Sequence, residues 1–164
     1  MDADSTPNNI LLAKQLIQDF SDRITFQKGD DFVWSPQEKT IYYTSITSSE
    51  NLWALMHEIG HAVLEHRGYS FDIQLLTIEA AAWQYAQEIL ASHYAIIIEP
   101  EHIQLTLDNY RDWLHQRSTC PNCRHNGIQT KANTYSCFNC RCLWRVNDAR
   151  KKGLKRVKIT QQFL

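Results

Sequence analysis

The chain has 164 residues, 43% hydrophobic and 21% charged, ordinary values for a globular protein and enough for one compact domain plus a small appendage. No stretch nears the ~20 consecutive apolar residues of a membrane span. The opening Met1-Asp2-Ala3-Asp4 lacks the basic and apolar regions of a secretory signal, so a cytoplasmic protein with no membrane partner is expected. The net charge of −1 conceals an asymmetry: residues 1–140 carry −8 and residues 141–164 carry +7.

Asn8 to Phe20 places Leu12, Leu16, Ile17 and Phe20 at helical spacing. Three strand-like pieces follow, Arg23–Phe26, Phe32–Trp34 and Thr40–Tyr43, separated by Gly29-Asp30 and Ser35-Pro36-Gln37. They predict a small antiparallel sheet. Thr47, with Glu50 three residues later, reads as the N-cap of a helix running to about Gly68. A second long helix is expected over Leu75 to Tyr94, and a third over Glu101 to His115, after Pro100. Beyond Ser118 the composition turns to cysteine, glycine and polar residues, which sets an expected boundary. The predicted domains are a catalytic domain over 1–117, a zinc ribbon over 118–148 and a basic tail over 149–164.

The chemistry is concentrated in His57-Glu58-Ile59-Gly60-His61, an H-E-x-x-H motif inside a predicted helix. Residues i and i+4 share one helix face, so both imidazoles reach one metal. Glu58 then accepts a proton from a zinc-bound water as general base. A catalytic zinc needs a third protein ligand and one open position. Glu79 is the best candidate, a lone carboxylate among apolar neighbours on the next predicted helix. His66 and His93 compete for the role. His66 falls on a different face of the continuing helix, and His93 is about four turns from Glu79.

The stretch from His57 through His66, with Glu79-Ala80-Ala81-Ala82-Trp83-Gln84-Tyr85-Ala86 and the aromatic strand Ile41-Tyr42-Tyr43, resembles the ImmA/IrrE family of metallopeptidases. The resemblance covers roughly residues 10–100. It implies a gluzincin-like site with His57, His61 and Glu79 as ligands and Glu58 as base. Many members carry a second acidic residue where this chain has Ala81. Members of that family often cleave a helix-turn-helix repressor of stress, mobile-element or phage-defence genes, which implies a DNA-binding repressor as protein substrate.

Cys120-Pro121-Asn122-Cys123 and Cys137-Phe138-Asn139-Cys140 form two CxxC knuckles, the spacing of a four-cysteine structural zinc site. Two Zn²⁺ per chain are therefore expected, one catalytic and one structural. The fifth cysteine, Cys142, either packs beside the ribbon as a small apolar residue or occupies the open position of the catalytic zinc as an inhibitory ligand. Tyr42 or Tyr43 is a candidate oxyanion donor, with simple packing as the alternative, and their strand is a candidate edge for an extended substrate. Lys151, Lys152, Lys155 and Arg156 suggest nucleic-acid binding by the tail.

The expected whole is an α+β zinc endopeptidase, its small sheet packed on zincin-type helices, with a ribbon appendage. The alternatives are a SprT-like DNA-associated protease, which would use a third His ligand, and a DNA-binding regulator with an inert H-E-x-x-H.

Overall fold

The computed structural model describes residues 5–148 and 153–159. Among them the chain is α+β. Its order is α1 (Ser5–Phe20), β1 (Thr25–Lys28), β2 (Val33–Ser35), β3 (Thr40–Tyr43), α2 (Ser49–Val63), α3 (Asp72–Tyr85), a π-helical segment over Ala86–Ala91, α4 (Pro100–Ser118), then β4 (Ile128–Lys131), β5 (Thr134–Ser136), β6 (Leu143–Val146) and β7 (Arg156–Ile159). No described helix is long and apolar enough to cross a membrane. The chain forms two compact units, one of residues 1–67 and 78–103, the other of residues 68–77 and 104–164.

In the first unit, α1 packs against α2 and buries Ala13, Leu16 and Phe20 from the face that the periodicity marks. The sheet order is β1-β3-β2. β2 and β3 form an antiparallel hairpin, whereas β1 runs parallel to β3. The expected all-antiparallel sheet is thus corrected to a mixed one, because β2 turns away from β1 to pair with β3. β3 is therefore central, and the two edges of the sheet belong to β1 and β2, not to the strand carrying Tyr42 and Tyr43.

Helix α2 begins one residue later than the Thr47 cap expected from the sequence. Ser48 is the N-cap, extended at φ −150 and ψ 171, and its hydroxyl accepts from the Asn51 N–H. Asn51 reaches back, its Oδ1 accepting from Thr47 N–H at 3.1 Å and from the Thr47 hydroxyl at 2.8 Å. Asn51 thus fills the position of the expected acidic capping-box partner. The helix ends at Val63, well before Gly68, because Glu65 takes a left-handed φ of 53.

In the second unit, β4 to β7 form a four-stranded antiparallel sheet over a small core in which Tyr135 stacks on Trp144 at 5.5 Å. Arg117, at the end of α4, is 0% exposed, an unusual place for a guanidinium. It is held by Asn133 Oδ1 at 2.6 Å, the Asn147 carbonyl at 3.1 Å, Asp72 at 3.2 Å and the Tyr135 hydroxyl at 3.2 Å. These bonds, together with one from Asp72 N–H to Gln129, join Arg117 and Asp72 to the chain beyond Ser118, and the division into two units falls within α3 and α4. The segment read as a basic tail also contributes β7, paired along β6. Lys151 and Lys152 lie outside the described residues.

Candidate metal centres

The first candidate site lies where α2 meets α3 in the first unit. His57 and His61, one turn apart on the buried face of α2, present their Nε2 atoms to each other at 3.0 Å. Glu79 on α3 completes the group, with Oε2 3.1 Å from His57 Nε2 and 3.5 Å from His61 Nε2. The three donor atoms lie within 4.8 Å of one another, and all three residues are buried. Gly60 makes the close approach possible: a Cβ there would stand 2.6 Å from the Ala82 carbonyl oxygen, one turn beyond Glu79. The His57 ring also stacks on Trp83 at 4.3 Å.

The electrostatics separate the two glutamates. Burial pushes the Glu79 carboxyl up, but its hydrogen bonds to, and electrostatic interaction with, His57 and His61 outweigh it and hold it down at about 2. Glu79 is thus an anion beside two imidazoles, the donor chemistry a divalent cation takes. Glu58 is half-buried without such close partners, and desolvation raises its pKa above the ordinary value, against the pull of the two histidines. Its Oε2 accepts a 2.7 Å hydrogen bond from the Trp34 N–H, which β2 offers from its unpaired edge.

His66 and His93, the competing ligands, lie outside the group. His66 turns back after the helix, so that its Nδ1 stands 3.0 Å from Nδ1 of His61, the nitrogen facing away from the group. His93 packs its ring beside Tyr94 at 4.8 Å. The two tyrosines are otherwise engaged as well. The Tyr42 hydroxyl donates to Glu38 at 2.9 Å, and the Tyr43 ring meets Phe26 and, at 4.3 Å, the Lys28 ammonium.

Trp34 is the residue that sequence reasoning missed. Its N–H holds Glu58, and its indole N–H donates to the His66 carbonyl at 2.9 Å. Both partners are more than 20 residues away, and no local pattern signals such a contact.

The second candidate site is in the other unit. Cys120, Cys123, Cys137 and Cys140 bring four Sγ atoms within 4.8 Å of one another, with Cys120 to Cys140 at 3.6 Å and Cys123 to Cys137 at 3.5 Å. The knuckles repeat one local form. Arg124 N–H donates to the Cys120 carbonyl and Arg141 N–H to the Cys137 carbonyl, and both arginines have a left-handed φ, 65 and 58. The Asn139 side chain, above all, draws the Cys123 thiol down to about 5, whereas burial and the neighbouring Cys123 push Cys137 up to about 11 against the backbone N–H of Cys140. Four thiolates this close would repel one another, a repulsion that a cation among them would relieve. Cys142 packs against the ribbon core, with its Sγ directed to the Leu143 carbonyl, and burial raises its pKa.

No family model matches the chain, and no curated protein or solved structure does either.

Proposed function

We propose that the chain is a zinc-dependent endopeptidase that cleaves a protein partner. The observation that carries this reading is the placing of two imidazole nitrogens and one carboxylate oxygen at a common point, with a fourth residue, Glu58, held beside them by a backbone N–H. Tetrahedral zinc with nitrogen and oxygen ligands sets donors roughly 3.3 Å apart, and with sulfur ligands roughly 3.8 Å apart. Separations of 3.0, 3.1 and 3.5 Å in the first group fit that size, as do 3.6 and 3.5 Å among the cysteines. Three protein ligands leave a position open, as a catalytic centre requires, and four close the other, as a structural centre requires.

Zinc, when bound, supplies the Lewis acidity that polarises a scissile carbonyl and makes hydroxide accessible near neutral pH. The chain's own residues do the rest. Glu58 takes the proton of the attacking water on its carboxylate, and the Trp34 N–H keeps that carboxylate oriented while the proton arrives. Glu79 contributes the negative charge that balances the cation. A gluzincin-like arrangement is favoured over the SprT-like one, because Glu79 sits with the histidine pair while His66 faces the back of His61. A DNA-binding repressor as substrate rests on the family resemblance alone.

The test is metal content with proteolysis of a repressor substrate. Wild type is expected to hold two zinc ions. Glu58→Gln should keep both and lose about 10²- to 10⁴-fold in cleavage, because a base is removed and not a ligand. Glu79→Ala should lose the catalytic zinc alone. If Glu79→Ala retains both ions and full activity, the third ligand is wrong. A wild type that binds zinc at the site and cleaves no partner would favour the regulator with an inert motif.

A further inference from the structure

We propose that His66 is a positioning residue for the metal site: its Nδ1 accepts the Nδ1–H of His61 and so holds His61 in the tautomer that presents a bare Nε2 to the metal. The inference rests on reading His57, His61 and Glu79 as a metal site and adds to it a residue outside the ligand set.

The geometry assigns the two nitrogens of His61 separate tasks. Nε2 lies 3.0 Å from His57 Nε2 and 3.5 Å from Glu79 Oε2, so it is the nitrogen that faces the group. Nδ1 faces the other way and stands 3.0 Å from Nδ1 of His66. A neutral imidazole carries one proton, and a ligating nitrogen must be bare. The proton of His61 therefore resides on Nδ1. His66 must meet it with a bare Nδ1 and keep its own proton on Nε2. Ligand histidines are commonly fixed in this way by an acceptor on the distal nitrogen, which sets both tautomer and ring direction.

The chain is built to hold His66 in that place. The helix stops at Val63, and Glu65 turns it with a left-handed φ of 53. The His66 N–H then donates to the His61 carbonyl at 2.9 Å, and the Trp34 indole N–H donates to the His66 carbonyl at 2.9 Å. With both backbone groups of His66 bonded, its ring meets His61 edge to face, centroids 5.0 Å apart. The other ligand histidine lacks such a partner: His57 Nδ1 is buried with no hydrogen bond, and stacking on Trp83 at 4.3 Å orients that ring instead. Among the described residues no ring is stacked on His61 in this way: it meets His57 and His66 edge to face, and His66 alone engages its Nδ1.

The experiment uses the full chain and Zn²⁺ alone, titrated against a chromophoric chelator, with the four-cysteine site as internal reference. His66→Ala is expected to weaken zinc binding at the His57–His61–Glu79 site by about 10- to 100-fold and to leave the ribbon's affinity unchanged. His66→Asn places an acceptor oxygen close to where Nδ1 stood and should restore most of the loss, which a merely space-filling role would not produce. Nitrogen-15 NMR of the wild-type zinc form should show His61 protonated on Nδ1, a readout that needs no variant. Equal affinity in wild type and His66→Ala, no recovery in His66→Asn, or a His61 with bare Nδ1 would each overturn the assignment. Zinc uptake by wild type at the ribbon only is a different failure: it would remove the metal-site reading, and the role of His66 with it.

Discussion

Gly60 is where α2 and α3 come closest, and two opposing effects meet there. Alanine in its place would gain up to about 1 kcal/mol of helix propensity. The added Cβ would, however, stand 2.6 Å from the Ala82 carbonyl oxygen and 3.2 Å from its Cα, which are backbone atoms and cannot swing aside. Overpacking of this kind costs about 1–3 kcal/mol. Gly60→Ala is therefore expected to destabilise the chain in denaturant unfolding, and to weaken zinc binding as α3 shifts with Glu79. A more stable variant would show that the two helices part at little cost. Cys142 poses a question at the same scale. Its thiol packs on the small core beside the four cysteines, with Sγ directed to the Leu143 carbonyl, and burial raises its pKa. Cys142→Ala should leave basal cleavage under reducing conditions unchanged, with intact zinc content. A rise in basal cleavage would restore Cys142 as the inhibitory ligand.

Among the elements, the start of α3 and the end of α4 are joined in the second unit by a single buried charge. Arg117 at the end of α4 bonds to Asp72 at the start of α3, to Asn133 beside β5 and to the carbonyl of Asn147, and its guanidinium lies 4.4 Å over the Trp113 ring. The Tyr135 hydroxyl also bonds to Asp72. Removing Arg117 leaves the buried Tyr135 and the half-buried Asp72, Asn133 and Asn147 without its hydrogen bonds, at a cost of up to about 3–5 kcal/mol. Arg117→Met is expected to lower the unfolding free energy by an amount up to that range, measured with Zn²⁺ supplied in excess. A loss under about 1 kcal/mol would show that methionine packing replaces the network. Nothing in the local sequence of α4 distinguishes Arg117 from its neighbour Arg111, which pairs at the surface with Asp108 three residues away. The difference arises only when strands 16 or more residues away fold over it.

For the whole molecule, the open matter is what the basic C-terminal segment contacts. Two of its cations have partners in the ribbon unit: Arg156 donates to the Thr119 carbonyl at 3.2 Å, and Lys158 to Asn122 at 3.0 Å. Nucleic-acid binding by Lys151, Lys152, Lys155 and Arg156 predicts an affinity that falls about 10²-fold between ~50 and ~200 mM salt, for four phosphate contacts. A gel-shift or anisotropy titration at several salt concentrations measures the slope. No binding to DNA or RNA at low salt would leave the segment as the outer strand of the ribbon sheet.

The sequence by itself determined what can be read from spacing. The i, i+4 histidines with Glu58 between them, the paired CxxC knuckles and the amphipathic α1 each follow from a local period, and the structure brings His57 to His61 and the four cysteines together. Glu79 was legible in part, as a carboxylate among alanines that lacked a local partner. What tertiary structure alone decided lies at long range. Strand pairing made β3 central and left β2 at an edge, from which the Trp34 N–H reaches Glu58 of the H-E-x-x-H helix. The left-handed turn at Glu65 ended α2 early and folded His66 back onto His61, where a continuing helix would have carried it to another face. Periodicity reports which face a residue occupies while an element lasts; it carries no information on where the element stops or which distant backbone group arrives beside it.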